Sequence, residues 1–144
     1  MKIFSLERHF KVFLIFLFFA VFLSCEREDR HPVPYVQVDF IINVESTQNI
    51  ELNSIGGWAY YTGGFRGIII YRVSEFEFTA FDRGCPVHPY SQCRVSVENP
   101  PLAFGPECES VFLLLDGSPV SGPAKHPIRA YRTSFNYPYL LVSN

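Results

Sequence analysis

Ser110-Val111-Phe112-Leu113-Leu114-Leu115-Asp116-Gly117-Ser118-Pro119-Val120-Ser121-Gly122-Pro123-Ala124-Lys125-His126-Pro127-Ile128 is the stretch on which the reading of this chain turns. Val111 to Leu115 is a short apolar run with the length of a strand rather than a helix. Gly122-Pro123 is a turn signal, because glycine tolerates positive φ and proline has no N–H to continue a ladder. A strand and a turn, with no helical period, set the pattern for the rest of the chain.

Working outward, the region from Tyr35 onwards reads as all-β. Tyr35 to Ile41 alternates partly at period two, as a half-buried strand should. Ile50-Glu51-Leu52 is short and flanked by polar residues. Trp58 to Tyr61 and Gly67 to Val73 flank Thr62-Gly63-Gly64-Phe65-Arg66, where the glycine pair marks a turn. Gly67 to Val73 is apolar and rich in β-branched residues, which predicts an internal strand. Glu77 to Asp82, Arg94 to Val97, Pro127 to Arg132 and Tyr139 to Val142 complete the strand candidates. Short strands separated by Gly/Pro turns predict a small antiparallel sandwich or barrel.

Three of the four cysteines, Cys85, Cys93 and Cys108, gather with His88 just upstream of the opening stretch. Three thiols and one imidazole are a donor set that zinc accepts. Iron–sulfur clusters more often take four cysteines. The spacing resembles no zinc finger. Glu107 and Glu109 flank Cys108, and their charge would raise a thiol pKa rather than activate it. A reactive catalytic cysteine is therefore disfavoured. Ser91, His88 and Asp82 lack the local geometry of a nucleophile elbow. Gly63-Gly64-x-x-Gly67 belongs to a hairpin and not to a phosphate-binding strand-to-helix turn.

The stretch from Gly64 to Val142 resembles a Rieske-like domain. The matching motifs are Gly67-Ile68-Ile69-Ile70-Tyr71-Arg72, then Phe81-Asp82-Arg83-Gly84-Cys85 leading into loop one. Ser110-Val111-Phe112, Asp116-Gly117 and Gly122-Pro123-Ala124-Lys125-His126-Pro127-Ile128 follow loop two. Cys85, His88, Cys93 and Cys108 are the candidate cofactor or metal ligands, and the resemblance implies that Gly122, Pro123 and Ala124 form a loop covering the site. Family ligands are Cys-x-His in loop one and Cys-x-x-His in loop two, two thiolates on one iron and two imidazoles on the other. Only Cys85 stands in place. Val87 occupies the first imidazole position, and His88 falls one residue late. Aligning on Ser110-Val111-Phe112 puts Gly105 at the second thiolate and Cys108 at the second imidazole. The family often cross-links its two loops, which here implies a disulfide from Cys108 to Cys93 or Cys85. Closing such a loop contributes about 3 kcal/mol in the chain-entropy model.

The amino-terminal region has a different character. Lys2, Arg8, His9 and Lys11 precede an unbroken apolar run from Val12 to Leu23. That run is short for a membrane span, which needs about 20 residues, and has the length of a signal-peptide core. Phe22-Leu23-Ser24-Cys25 resembles a bacterial lipobox, which implies cleavage before Cys25 and its acylation. Several acyl chains anchor stably where one is marginal. The charged segment Glu26-Arg27-Glu28-Asp29-Arg30-His31-Pro32 reads as a tether and resembles the export signal of some Bacteroidetes lipoproteins. The expected organisation is a signal peptide at 1–24, a lipidated cysteine and tether at 25–33, and a Rieske-like domain at 34–144. It places the protein in the cell envelope, on the periplasmic side or the outer-membrane surface.

Residues 1–24 carry Lys2, Arg8 and Lys11 against Glu7, a charge of +2, so a whole-chain charge of −2 leaves −4 for the remainder. That excludes a nucleic-acid binder of the usual basic kind. Outside the cytoplasm, unliganded cysteines oxidise. Two functions of different class follow. One is a membrane-anchored structural or binding module with its loops cross-linked or zinc-bound, facing a periplasmic or surface protein partner. The other is an electron-transfer protein carrying a two-iron two-sulfur cluster. The ligand set favours the first, without an enzymatic activity and with no cofactor, because function resides in the site and not in the fold.

Overall fold

The computed structural model describes residues 31–144. The expected signal peptide, the acylation site Cys25 and the tether up to residue 30 lie outside the described residues.

Among the described residues ten strands form two antiparallel sheets, as expected for an all-β chain. They are β1 (Asp39–Asn43), β2 (Trp58–Tyr61), β3 (Ile68–Arg72), β4 (Phe78–Asp82), β5 (Ser96–Asn99), β6 (Leu102–Gly105), β7 (Ser110–Leu113), β8 (Pro119–Ser121), β9 (Ala130–Asn136) and β10 (Tyr139–Ser143). A six-stranded half-barrel runs in the order β1-β10-β9-β4-β3-β2, and a smaller sheet runs β5-β6-β7-β8.

β3 is internal, paired to β2 through Trp58↔Tyr71 and to β4 through Ile69↔Phe81. Its side chains alternate between two cores, as the pleat requires. Ile69 and Tyr71 join Phe81, Val95, Phe112, Leu114 and Ile128 between the two sheets. Ile68 and Ile70 join Leu52, Phe78, Leu140 and Val142 on the opposite face, within the half-barrel. Burial on both faces explains the continuous apolar run, and each isoleucine contributes about 2 kcal/mol by removing its side chain from water. The two cores share one sheet, so the site between the sheets rests on a rigid wall.

Several elements differ from their expected bounds. Ile50-Glu51-Leu52 lies in a 3₁₀ helix, η1 (Thr47–Asn53), capped by the Ser46 side chain on the Gln48 N–H. Its single buried residue, Leu52, plugs the half-barrel. The first strand starts four residues later than expected. Instead of a strand partner, the Val38 N–H and Val36 carbonyl meet the Asn144 side-chain amide at 2.9 and 2.8 Å. β9 begins after Pro127 to Arg129, where the Ile128 N–H bonds to the Gly117 carbonyl. β6 and β8 had no counterpart among the expected strands. β6 turns only Ala103 and Gly105 inward, too small to register as an apolar period. β8 is a three-residue edge strand that opens on Pro119, a position where proline costs no ladder bond.

The chain is already docked at His31, ahead of the expected start of the domain at residue 34. Val33 is fully buried. The Val33 carbonyl accepts from Arg129 Nε at 2.8 Å. The Val33 N–H donates to His31 Nδ1 at 3.1 Å, and the other ring nitrogen, Nε2, lies 2.9 Å from the Pro127 carbonyl. Residues 31–33 are therefore a strap on the domain and not free tether.

Candidate site: a disulfide with a third cysteine

Loop one leaves β4 at Asp82 and returns at Val95. Its base is pinned by the fully buried Asp82 carboxylate, which accepts from the backbone N–H groups of Phe65 (2.5 Å), Arg66 (3.2 Å) and Gly84 (2.7 Å) and from the Tyr131 hydroxyl (2.7 Å). A buried carboxylate is tolerated only when its lone pairs are satisfied in this way. Burial and the neighbouring Asp82 charge push the Tyr131 hydroxyl above the ordinary phenol range, so it stays a donor. The bridge between Gly84 and Arg94 and the bond from Arg83 Nε to the Val95 carbonyl close the neck of the loop. Within it, the Ser91 N–H reaches the His88 carbonyl, and the Cys93 N–H reaches Ser91 Oγ. These turns aim Cys85 and Cys93 inward from both ends of the loop.

Loop two joins β6 to β7. The Cys108 N–H bonds to the Gly105 carbonyl, and Glu109 takes a positive φ of 46°. That turn points Cys108 into the space between the sheets. Ser110 Oγ donates to the Cys108 carbonyl at 2.8 Å and accepts from the Ala124 N–H at 3.2 Å. The serine thus ties loop two to the segment Gly122-Pro123-Ala124. A Cβ at Gly122, which has φ 92°, would lie 2.7 Å from Ser110 Cα, so only glycine permits this approach. Ala124 packs in the same core as the three cysteines.

Cys85 and Cys108 form a disulfide that joins the two loops, and Cys93 is a free thiol beside it. The three sulfurs lie within 4.8 Å of one another, and all three residues are buried. Of the four expected site residues the structure brings together these three. His88 is exposed on loop one and is not among the grouped donors. The pairing resolves the choice left open by the sequence in favour of Cys85.

The position of the second sulfur is informative. A Cβ added at Gly105 would stand 2.5 Å from Cys108 Sγ and 3.7 Å from Val95. The Cys108 sulfur therefore fills the volume where a side chain at 105 would sit. Val87, the residue aligned with the first imidazole, packs its apolar side chain against the same core. Sequence reading did not find the Asp82–Tyr131 anchor. The signal for the anchor was present in the pairing of a loop-edge aspartate with the Gly63-Gly64 turn. A Cβ at Gly64 would collide with both the Tyr131 hydroxyl and the Asp82 carboxylate.

No protein-family profile matches the chain. No curated protein matches it by sequence. Among solved structures, it is similar to the ferredoxin of carbazole 1,9a-dioxygenase from Nocardioides aromaticivorans IC177, with a TM-score of 0.47 and 17% identity. The match covers 62% of this chain and 86% of that one.

Chemically, the arrangement offers a disulfide and a free thiol whose sulfur lies within 4.8 Å of both bonded sulfurs. Thiolate attack by Cys93 on either bonded sulfur would make a new bridge and release the other cysteine as thiolate, with no net oxidation. Metal binding needs thiolates, so a cation competes with the bridge and requires its reduction.

Proposed function

We propose that this chain is an exported, lipid-anchored lipoprotein whose Rieske-like domain has exchanged its cluster for a covalent cross-link and serves as a binding or structural module. One observation carries the reading. The Cys108 sulfur, bonded to Cys85, fills the space that the aligned thiolate position at Gly105 would need. The residues do not fit a two-iron two-sulfur cluster of Rieske type. Val87 and Gly105 have no donor atoms, the two candidate thiolates are bonded to each other, and His88 is not grouped with them. Motif resemblance along Gly64 to Val142 supports the scaffold, and the lipobox-like Phe22-Leu23-Ser24-Cys25 supports the anchor.

A second reading rests on the three grouped sulfurs. Reduction of the bridge would leave three thiolates, a donor set suited to zinc with one further ligand. His88 would have to swing inward to complete it.

The deciding experiment is metal and acid-labile sulfide analysis with visible absorption on the full chain, purified in detergent without oxygen. The expected result is a colourless protein with neither iron nor sulfide. Stoichiometric iron with matching sulfide would overturn the reading in favour of electron transfer. One zinc per chain, lost on oxidation, would establish the second reading.

A further inference from the structure

Residues 31–144 contain seven lysines and arginines against ten aspartates and glutamates. Three of those seven cations, Arg66, Arg83 and Arg94, line one groove of about 480 Å³ beside the turn between β2 and β3. Its other walls are Tyr60, Tyr61 and the segment from Thr62 to Gly67, and no carboxylate is among the lining residues. Concentrating cations this way in an acidic domain works against its own electrostatics. Like charges in a partly buried cleft repel, and the repulsion is not screened as it is in open water.

Structural duties do not account for the cluster. Arg72, by contrast, spends its guanidinium on the carbonyls of Leu52, Asn53, Ser74 and Glu75. Arg83 uses only Nε, toward the Val95 carbonyl, and its guanidinium carbon lies 3.8 Å from the centre of the Tyr60 ring. Its two terminal nitrogens make no hydrogen bond among the described residues. Arg94 has no side-chain hydrogen bond among the described residues and is exposed. Arg66 donates through Nη2 to the Tyr90 carbonyl, while its Nε is buried without a partner among the described residues. Burial lowers the Arg83 pKa, and nearby Arg94 adds to the effect against an opposing contribution from Tyr60.

We propose that this groove is a binding site for a small anionic molecule whose phosphate or carboxylate group is held by the planar forks of Arg83 and Arg94, with Arg66 beside them. Guanidinium forks match the oxygen pairs of phosphate and carboxylate groups. The volume suits a ligand of one or two rings, which would rest against Tyr60 and Tyr61. None of the three cysteines lines this groove.

The test is isothermal titration of the full chain in detergent at low salt, with inorganic pyrophosphate in one arm and a glucuronate disaccharide in the other. Saturable binding is expected in at least one arm, weakened about tenfold or more by Arg94→Gln and by added salt. Arg132→Gln, an exposed cation outside the groove, should leave it unchanged. Binding in the first arm alone assigns a phosphate ligand, and binding in the second alone assigns a carboxylate. In the wild-type protein, amide resonances of residues 62–67 should shift during the same titration. Absence of saturable binding in both arms, equal losses in the two variants, or shifts confined to other residues would overturn the proposal.

Discussion

At the residue scale, Asp82 and the three cysteines have opposite kinds of importance. Asp82 gathers four donors from three separate segments, so it organises the turn after β2, the base of loop one and β9 at once. Asp82→Asn keeps the shape but turns one acceptor into a donor facing other donors. It should lower stability by about 2–4 kcal/mol, read as a fall in the denaturant midpoint at constant slope. Among the cysteines the testable statement is connectivity. Alkylation of unreduced protein followed by peptide mapping should recover Cys85 joined to Cys108 and Cys93 alkylated alone. Recovery of Cys93 in the bridge would mean that exchange has already moved it. In Cys108→Ser the remaining pair, Cys85 and Cys93, lies close enough to join, so a new bridge of shorter loop should appear by mass spectrometry. Such a bridge closes a smaller loop and recovers only part of the roughly 3 kcal/mol attributed to the native one.

At the scale of elements, β6 and the strap are the informative cases. β6 is narrow on its inner face because the Cys108 sulfur lies over Gly105. Gly105→Ala should therefore cost about 1–3 kcal/mol through overpacking, whereas a Cβ at Gly56 would meet only the Tyr71 hydroxyl, at an ordinary 3.9 Å, and Gly56→Ala would carry the penalty of its positive φ. Thermal unfolding of the pair separates crowding from conformational strain. The strap is a pH-sensitive element. Burial lowers the His31 pKa, with nearby Arg129 and His126 adding to the effect, and Nδ1 must stay unprotonated to accept from Val33. The folded state thus binds fewer protons than the unfolded one. The strap's contribution is present above the unfolded value of about 6.5 and is lost as pH falls below it. The hydrogen-exchange protection factor of the Val33 amide, taken against its intrinsic rate at each pH, should fall between pH 7 and pH 5, and His31→Gln should flatten that dependence. Strands with a clear apolar period were legible in the sequence, as at Ile68 to Arg72 and Tyr139 to Val142. β6 and β8 were not, because inward glycine and alanine or an opening proline leave no such period. Leu52 sits in a single helical turn whose signal, one apolar residue among polar ones, cannot be told from a short strand.

On the scale of the whole molecule, two cores share one sheet and the loops of the candidate site sit over one of them. Three of the four expected site residues converge, which the motif spacing made legible. The bridge partner was not, since it depends on Cα positions that follow only from the folded loops. The arginine groove was equally hidden. Residues 66, 83 and 94 lie on three different segments, and only the pairing of β3 with β4 and the Gly84–Arg94 bridge bring them to one place. The same topology makes the bridge difficult to reach. Cys85 and Cys108 are almost wholly enclosed, with exposures of 0% and 2%. A reductant in solution must wait for the loops to part before it meets a sulfur, so reduction proceeds at the frequency of local opening. The oxidation state of this protein is therefore a slow memory of how often its loops have breathed, insulated from brief changes in the redox level outside.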